Sequence, residues 1–288
     1  MRFFMAFSAN YIKKYDENLY ELLKKKFEEE ELNLAMLQLK NPQLFKTLVS
    51  GDYSDIPEKY YLRIIHKAIK FMDIDMDTFN LYATTRNKYE GEINTEKTAL
   101  PFWFSVDKKF LAFNIMLQLR DYRNIFHYLT EYLKGKKHIS YCDYGCGSGS
   151  LSLALNARNE FEKMTFFDLD CYHSDFVKYY ISSCKMNAKW FDILKEEETE
   201  QYDVVVCLDV LEHIEESYNT LVKLSKKVKK GGLLILKGAF EIDSYSHLPL
   251  ASKNFYVDNN GPEFLSAHFM NIKKFYYPAL LSGAFIKK

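Results

Sequence analysis

The chain is poor in the residues that punctuate or staple small folds, with 11 glycines, 6 prolines and 5 cysteines in 288 residues. Cys142, Cys146, Cys171, Cys184 and Cys207 are odd in number and form no C-x-x-C pair. That pattern argues against a disulfide framework or a structural zinc site, and for reduced thiols in a cytoplasmic protein. No apolar run approaches the roughly 18–20 residues a membrane span requires. The opening Met1-Arg-Phe-Phe-Met-Ala-Phe lacks the rest of a secretory leader, so no membrane association is expected. Net charge is also missing. The 39 basic and 39 acidic residues cancel, and without a global positive field a nucleic-acid partner is disfavoured. Repeats and low-complexity segments are absent.

Aromatic residues, by contrast, are plentiful: 22 Tyr and 23 Phe. They imply a bulky core, with some available to line a pocket for a flat or apolar ligand. Residues 1–134 show helical rather than strand-like spacing. Leu19, Leu22, Leu23, Phe27, Leu32, Met36 and Leu39 mark one apolar stripe, and a helix is expected from about Pro57 to Met72. Asp73-Ile-Asp75-Met-Asp77 resembles the start of a calcium loop, but Thr78 stands where that loop needs glycine and Thr84 where it needs a bidentate Glu, so no metal is expected. The polar stretch from Leu81 to Pro101 reads as a long connection. Phe102-Trp103-Phe104 then leads into one long amphipathic helix, about Val106 to Lys134, ended by Gly135. The trio suits either a substrate lid or an anchor for the helical region. His66 and His127 fall in helical contexts and read as packing residues.

The most specific segment is Ile139-Ser-Tyr-Cys-Asp143-Tyr-Gly145-Cys146-Gly147-Ser-Gly149-Ser150. A short apolar run ends in an acid and then three alternating glycines, the pattern of a buried strand, a tight turn and a helix start. The glycines permit φ > 0 and close approach to a ligand, and the helix start is expected to present unpaired N–H groups. Ser150 stands where a dinucleotide G-x-G-x-x-G motif has its third glycine, so the match to that fingerprint is poor.

The phrase Asp143-x-Gly145-x-Gly147-x-Gly149 resembles motif I of the class I S-adenosylmethionine (SAM) dependent methyltransferases, and three later segments follow in that family's order. Lys163-Met-Thr-Phe-Phe-Asp168 is a second strand ending in an acid, Ala188-Lys-Trp-Phe-Asp192-Ile193 a third, and Tyr202 to Leu208 a fourth that runs into Asp209-Val-Leu-Glu212-His213. Lys230-Gly-Gly-Leu-Leu-Ile-Leu236 completes the set as a turn and fifth strand. The resemblance covers about residues 138–288. It implies an α/β fold with a doubly wound, seven-stranded, mostly parallel sheet and an antiparallel C-terminal strand. This SAM-binding domain of residues 135–288 would follow an α-helical cap of residues 1–134.

The resemblance further implies SAM as cofactor. Asp168, with Leu169 beside it, would hold the ribose, and Asp170 is the fallback if the register slips. Asp192 and Ile193 would hold the adenine; Asp143, Gly145, Cys146, Gly147, Gly149, Leu208 and Asp209 would surround the methionine end. His213 is a candidate base, although its phrase also suits a structural or cofactor-shell role. Tyr245 and His247, in the loop-like stretch from Lys237 to Pro249, are candidates for acceptor contact. The expected activity is methyl transfer to oxygen or nitrogen of a small molecule, with specialised metabolism as the expected setting. Alternatives are methylation of a protein or RNA, a non-catalytic SAM-binding regulator, and a dinucleotide oxidoreductase.

Overall fold

A computed structural model describes residues 58–84, 95–159, 161–195, 199–240, 247–275 and 281–288. The stripe from Leu19 to Leu39 and the residue Tyr245 lie outside them. The chain packs as two compact units: Leu100–Val206 with the described helices of residues 58–84, and Cys207–Lys288 with residues 95–99.

Helices come first. They are α1 (Glu58–Met72), α2 (Met76–Thr84), α3 (Glu96–Phe104), α4 (Lys108–Asp121) and α5 (Arg123–Leu133). Helix α1 runs as its spacing predicts and buries Ile64, Ala68 and Met72. The acids after it have a structural use, because Asp75 caps α2 by accepting the Thr78 N–H at 2.7 Å. Two expectations fail here. The supposed connection from Leu81 to Pro101 contains the first turns of α3, with Pro101 inside the helix. The supposed single helix of residues 106–134 is two, broken at Tyr122 (φ −97°, ψ 14°). The break separates two tasks: α4 aims Asn114 and Gln118 at the glycine turn, while α5 buries Ile125, Phe126, Leu129 and Leu133. His66 and His127 are exposed, not the packing residues expected.

The strands are β1 (Ile139–Tyr144), β2 (Phe161–Asp168), β3 (Ala188–Asp192), β4 (Tyr202–Leu208), β5 (Val228–Gly238), β6 (Phe269–Lys274) and β7 (Leu281–Lys287). They form one seven-stranded sheet in the order β3-β2-β1-β4-β5-β7-β6. Strand β1 runs parallel to β2 and β4, and β2 parallel to β3; the C-terminal β7 lies antiparallel between β5 and β6. This is the doubly wound sheet with a reversed last strand expected from the sequence. Its central strands are buried on both faces, which explains why Val204-Val-Val-Cys-Leu208 is a continuous apolar run instead of an alternating one. Each such side chain contributes about 1.5–3 kcal/mol on burial.

The connecting helices are α6 (Ser150–Asn156), α7 (Tyr172–Cys184), α8 (Ser217–Lys227), the short α9 (Pro249–Lys253), which continues as a π-helical turn (Asn254–Asp258), and α10 (Gly261–His268). Within the first unit, Asp203 accepts the Ser140 N–H at 2.9 Å and its hydroxyl at 2.6 Å, tying the start of β4 to the start of β1. In the second, Lys287 donates to the carbonyls of Ser225 and Val228, each at 2.7 Å, and so satisfies the C-terminal end of α8. Gly261-Pro262 opens α10 as expected, and a Cβ at Gly261 would lie 2.6 Å from the Phe255 ring.

Candidate cofactor and acceptor site

In the unit Leu100–Val206, β1 delivers Asp143 and then turns through Gly145 (φ 72°), Gly147 (φ 55°) and Gly149 (φ 65°) into α6. These left-handed values explain the alternation of glycines, since another residue would carry about 1–2 kcal/mol of strain at each. Gly147 is constrained twice over: a Cβ there would stand 2.8 Å from Gln118 Nε2 and 3.1 Å from Asn114 Oδ1.

The turn differs from expectation in one respect. Every backbone N–H from Gly145 to Ser150 is already donated within the protein. Gly145 and Cys146 donate to the Phe167 carbonyl at 2.8 and 3.1 Å, and Gly149 donates to the Cys146 carbonyl at 2.8 Å. Gly147 donates to Asp168 Oδ2 at 2.5 Å, Ser148 to Asn114 Oδ1 at 3.1 Å and Ser150 to Gln118 Oε1 at 3.0 Å. The unpaired donors that a phosphate would need are therefore spoken for. Gln118 also donates to the Cys146 carbonyl at 3.1 Å and accepts from the Ser148 hydroxyl at 3.1 Å, spanning the turn from behind. Sequence reasoning missed both Asn114 and Gln118.

Asp143 is buried and accepts from Ser152 Oγ at 2.5 Å; the Ser152 hydroxyl is in turn 2.7 Å from the Tyr141 hydroxyl. Burial, partly offset by that serine, pushes the Asp143 carboxyl up to about 7. Asp168 ends β2, and its two oxygens accept from Gly147 at 2.5 Å and from Leu169 at 2.7 Å. Burial raises Asp168 to about 6, against the pull of these N–H donors. Asp192 pairs in register with Asp168 at the end of β3, next to Ile193, and bonds the Leu194 N–H at 3.1 Å and Lys195 at 2.8 Å. Asp170 points elsewhere, exposed and paired with Lys178 at 2.6 Å. Phe102, Trp103 and Phe110 form an edge-to-face cluster, with ring centroids 4.8–6.1 Å apart. Phe110 also stacks on buried His173, which burial pushes down to about 4, so that ring is neutral.

In the unit Cys207–Lys288, Leu208 is buried and Asp209 takes a left-handed conformation (φ 53°) unusual for a side-chain-bearing residue. Asp209 pairs with the buried ammonium of Lys237. Lys237 and Gly238 thus belong to β5 and not to the loop in which the sequence had placed them. Glu212 is fully buried. Its Oε1 accepts from the Ala239 N–H at 2.8 Å, and burial together with the nearby Asp209 charge raises it to about 8. His213 and His247 do come together, with ring centroids 4.9 Å apart. With Glu212 they form a group whose potential ligand atoms lie within 4.8 Å of one another.

A doubly wound sheet with a glycine turn after its first strand and acids closing the next two defines an open-sheet α/β protein. Comparison with known proteins gives the family. Residues 117–269, just over half of the chain, match the family model described as a methyltransferase domain, and the chain belongs to that family. It is similar to the ubiquinone biosynthesis O-methyltransferase of Rickettsia bellii, with 28% identity over 140 residues, covering 46% of this chain and 55% of that one. The enzyme of the same name from Erwinia tasmaniensis is 24% identical over 205 residues, covering 68% and 77%. The chain spans about half the length of the first of these relatives. Among solved structures, a protein of Pyrococcus horikoshii OT3 is 15% identical with a TM-score of 0.43, covering 59% of this chain and 92% of that one.

Proposed function

We propose that this chain is a SAM-dependent methyltransferase acting on an oxygen of a small-molecule acceptor. The observation that carries the proposal is the glycine turn, whose six consecutive N–H groups are consumed internally while the Asp168 carboxylate stands at its rim. A dinucleotide needs free donors for its pyrophosphate. A sulfonium nucleoside has no phosphate, so it can use a closed, close-approach turn. The two curated relatives, both named as O-methyltransferases, support oxygen over nitrogen.

When bound, SAM supplies an electrophilic methyl on sulfur, and the residues of this chain have only to hold, orient and deprotonate. Asp168 would hold the ribose, accepting hydroxyl donors with the lone pairs its protein partners leave free. Asp192 and Ile193 border the adenine. Asp143 and the glycine turn in the one unit, and Leu208 and Asp209 in the other, would each be candidates for the aminoacyl end. Of His213 and His247, the partly buried members of the second cluster, one imidazole would take up the acceptor proton. Glu212, raised to about 8, is protonated at neutral pH and leaves that task to the imidazoles. Alignment of acceptor and methyl can supply about 7–11 kcal/mol of the barrier.

The free state of the described cysteines and the lack, among the described residues, of any helix long and apolar enough to span a bilayer support a cytoplasmic setting. The test is transfer of labelled methyl from SAM to a panel of phenols, catechols, aliphatic alcohols and amines. Label in a methyl ether with matching thioether release is the expected result; label confined to amines would overturn the oxygen assignment.

A further inference from the structure

We propose that Lys237 is a positioning residue for the cofactor, a role that rests on the functional proposal above. By gripping Asp209 at both backbone and side chain, it holds the exit of β4 in the left-handed turn against which the aminoacyl half of SAM packs. Three observations meet at this point. Asp209 has φ 53°, a conformation that a side-chain-bearing residue keeps only where its surroundings over-determine it. Its N–H donates to the Lys237 carbonyl at 2.8 Å, while its carboxylate pairs with the Lys237 ammonium, so one residue supplies both restraints. Lys237 itself is only 3% exposed at the end of β5, among side chains otherwise apolar from Leu233 to Phe240. A buried ammonium is kept only where it is paired.

The clamp continues along the same strand exit. Ala239, two residues on, donates to Glu212 Oε1 at 2.8 Å, and the Glu212 carbonyl accepts from Leu248 at 2.8 Å. The segment Lys237-Gly-Ala239 therefore fixes both acids of the Asp209-Val-Leu-Glu212 phrase. The second effect is on charge. The Lys237 ammonium offsets the charge of the Asp209 carboxylate.

The test compares Lys237→Met and Lys237→Arg by calorimetric titration with SAM and with S-adenosylhomocysteine. Removing one partner of a paired charge also costs stability. A double variant, Asp209→Asn with Lys237→Met, therefore leaves no orphaned charge and keeps the turn sequence. Lys237→Met and the double variant are expected to bind both ligands at least about tenfold more weakly, with the double variant retaining the parent's thermal midpoint. Lys237→Arg, which can still reach the carboxylate, is expected to stay within about threefold of the parent. Parent-like affinity in Lys237→Met, or loss in Lys237→Arg as great as in Lys237→Met, would overturn the proposal while leaving the cofactor assignment standing. A parent chain that binds neither ligand would overturn both.

Discussion

At the scale of single residues, cofactor binding depends on which groups are committed within the chain and which remain available. Asp168 spends one lone pair on Gly147 and another on Leu169 and keeps acceptor capacity for a ribose hydroxyl. Replacing it by alanine should weaken SAM binding at least about tenfold, as loss of charge-assisted bonds worth roughly 1.5–3 kcal/mol each requires, while far-ultraviolet circular dichroism stays that of the parent. Because burial holds this carboxyl near 6, affinity should also fall as pH drops through that value, since a protonated Asp168 accepts fewer hydroxyls. Titrations between about pH 7.5 and pH 5 would show it. Gly147→Ala meets both an unfavourable φ and Gln118 at 2.8 Å. It should lose cofactor affinity even if the methyl is accommodated, which the same titration would reveal.

At the scale of elements, the turn is braced by a helix that the sequence marked only as amphipathic. Gln118 on α4 serves the Cys146 carbonyl, the Ser148 hydroxyl and the Ser150 N–H together. Gln118→Ala would leave buried partners unsatisfied and should cost about 1–3 kcal/mol, measurable as a lower urea midpoint. These contacts also show what could be read in advance. Asp143, Asp168 and Asp192 were legible because each ends its own strand, a feature carried by neighbouring residues; their shared edge then follows from parallel pairing. Asn114 and Gln118 were not, because the distance from Gln118 to Ser150 is 32 positions in sequence and no local pattern marks a side chain that faces a distant turn. The break at Tyr122 was hidden for a related reason. The backbone there stays nearly helical, its N–H still donating to the Gln118 carbonyl at 3.1 Å, so neither proline nor glycine signals it. Lys237 was misplaced because a lysine at the end of an apolar run looks like the start of a loop until its buried partner, Asp209, is known.

At the scale of the whole molecule, several carboxyls are buried with their pKa values raised: Asp143 to about 7, Asp168 to about 6 and Glu212 to about 8. A carboxyl raised on folding contributes stability that is full below its unfolded pKa and is lost as pH rises through its folded pKa. His173 acts in the opposite direction. Depressed to about 4, it removes stability as pH falls below the ordinary imidazole value. Between about pH 8.5 and pH 6.5 the carboxyl effect outweighs that of His173, so the thermal midpoint of the ligand-free chain should rise as the pH is lowered across that window. Scanning fluorimetry in a series of buffers of constant ionic strength would check the sign. A midpoint that fell instead would mean that these acids are ionised in the folded chain.

The central claim is that the closed glycine turn and the Asp168 rim receive a sulfonium nucleoside and not a dinucleotide. Calorimetric titration of the same preparation with S-adenosylhomocysteine and with NAD tests it most directly. Saturable binding of the thioether, weakened at least about tenfold by Asp168→Ala, and no heat of binding from NAD are expected. Saturable binding of NAD, or a chain indifferent to the thioether, would contradict it.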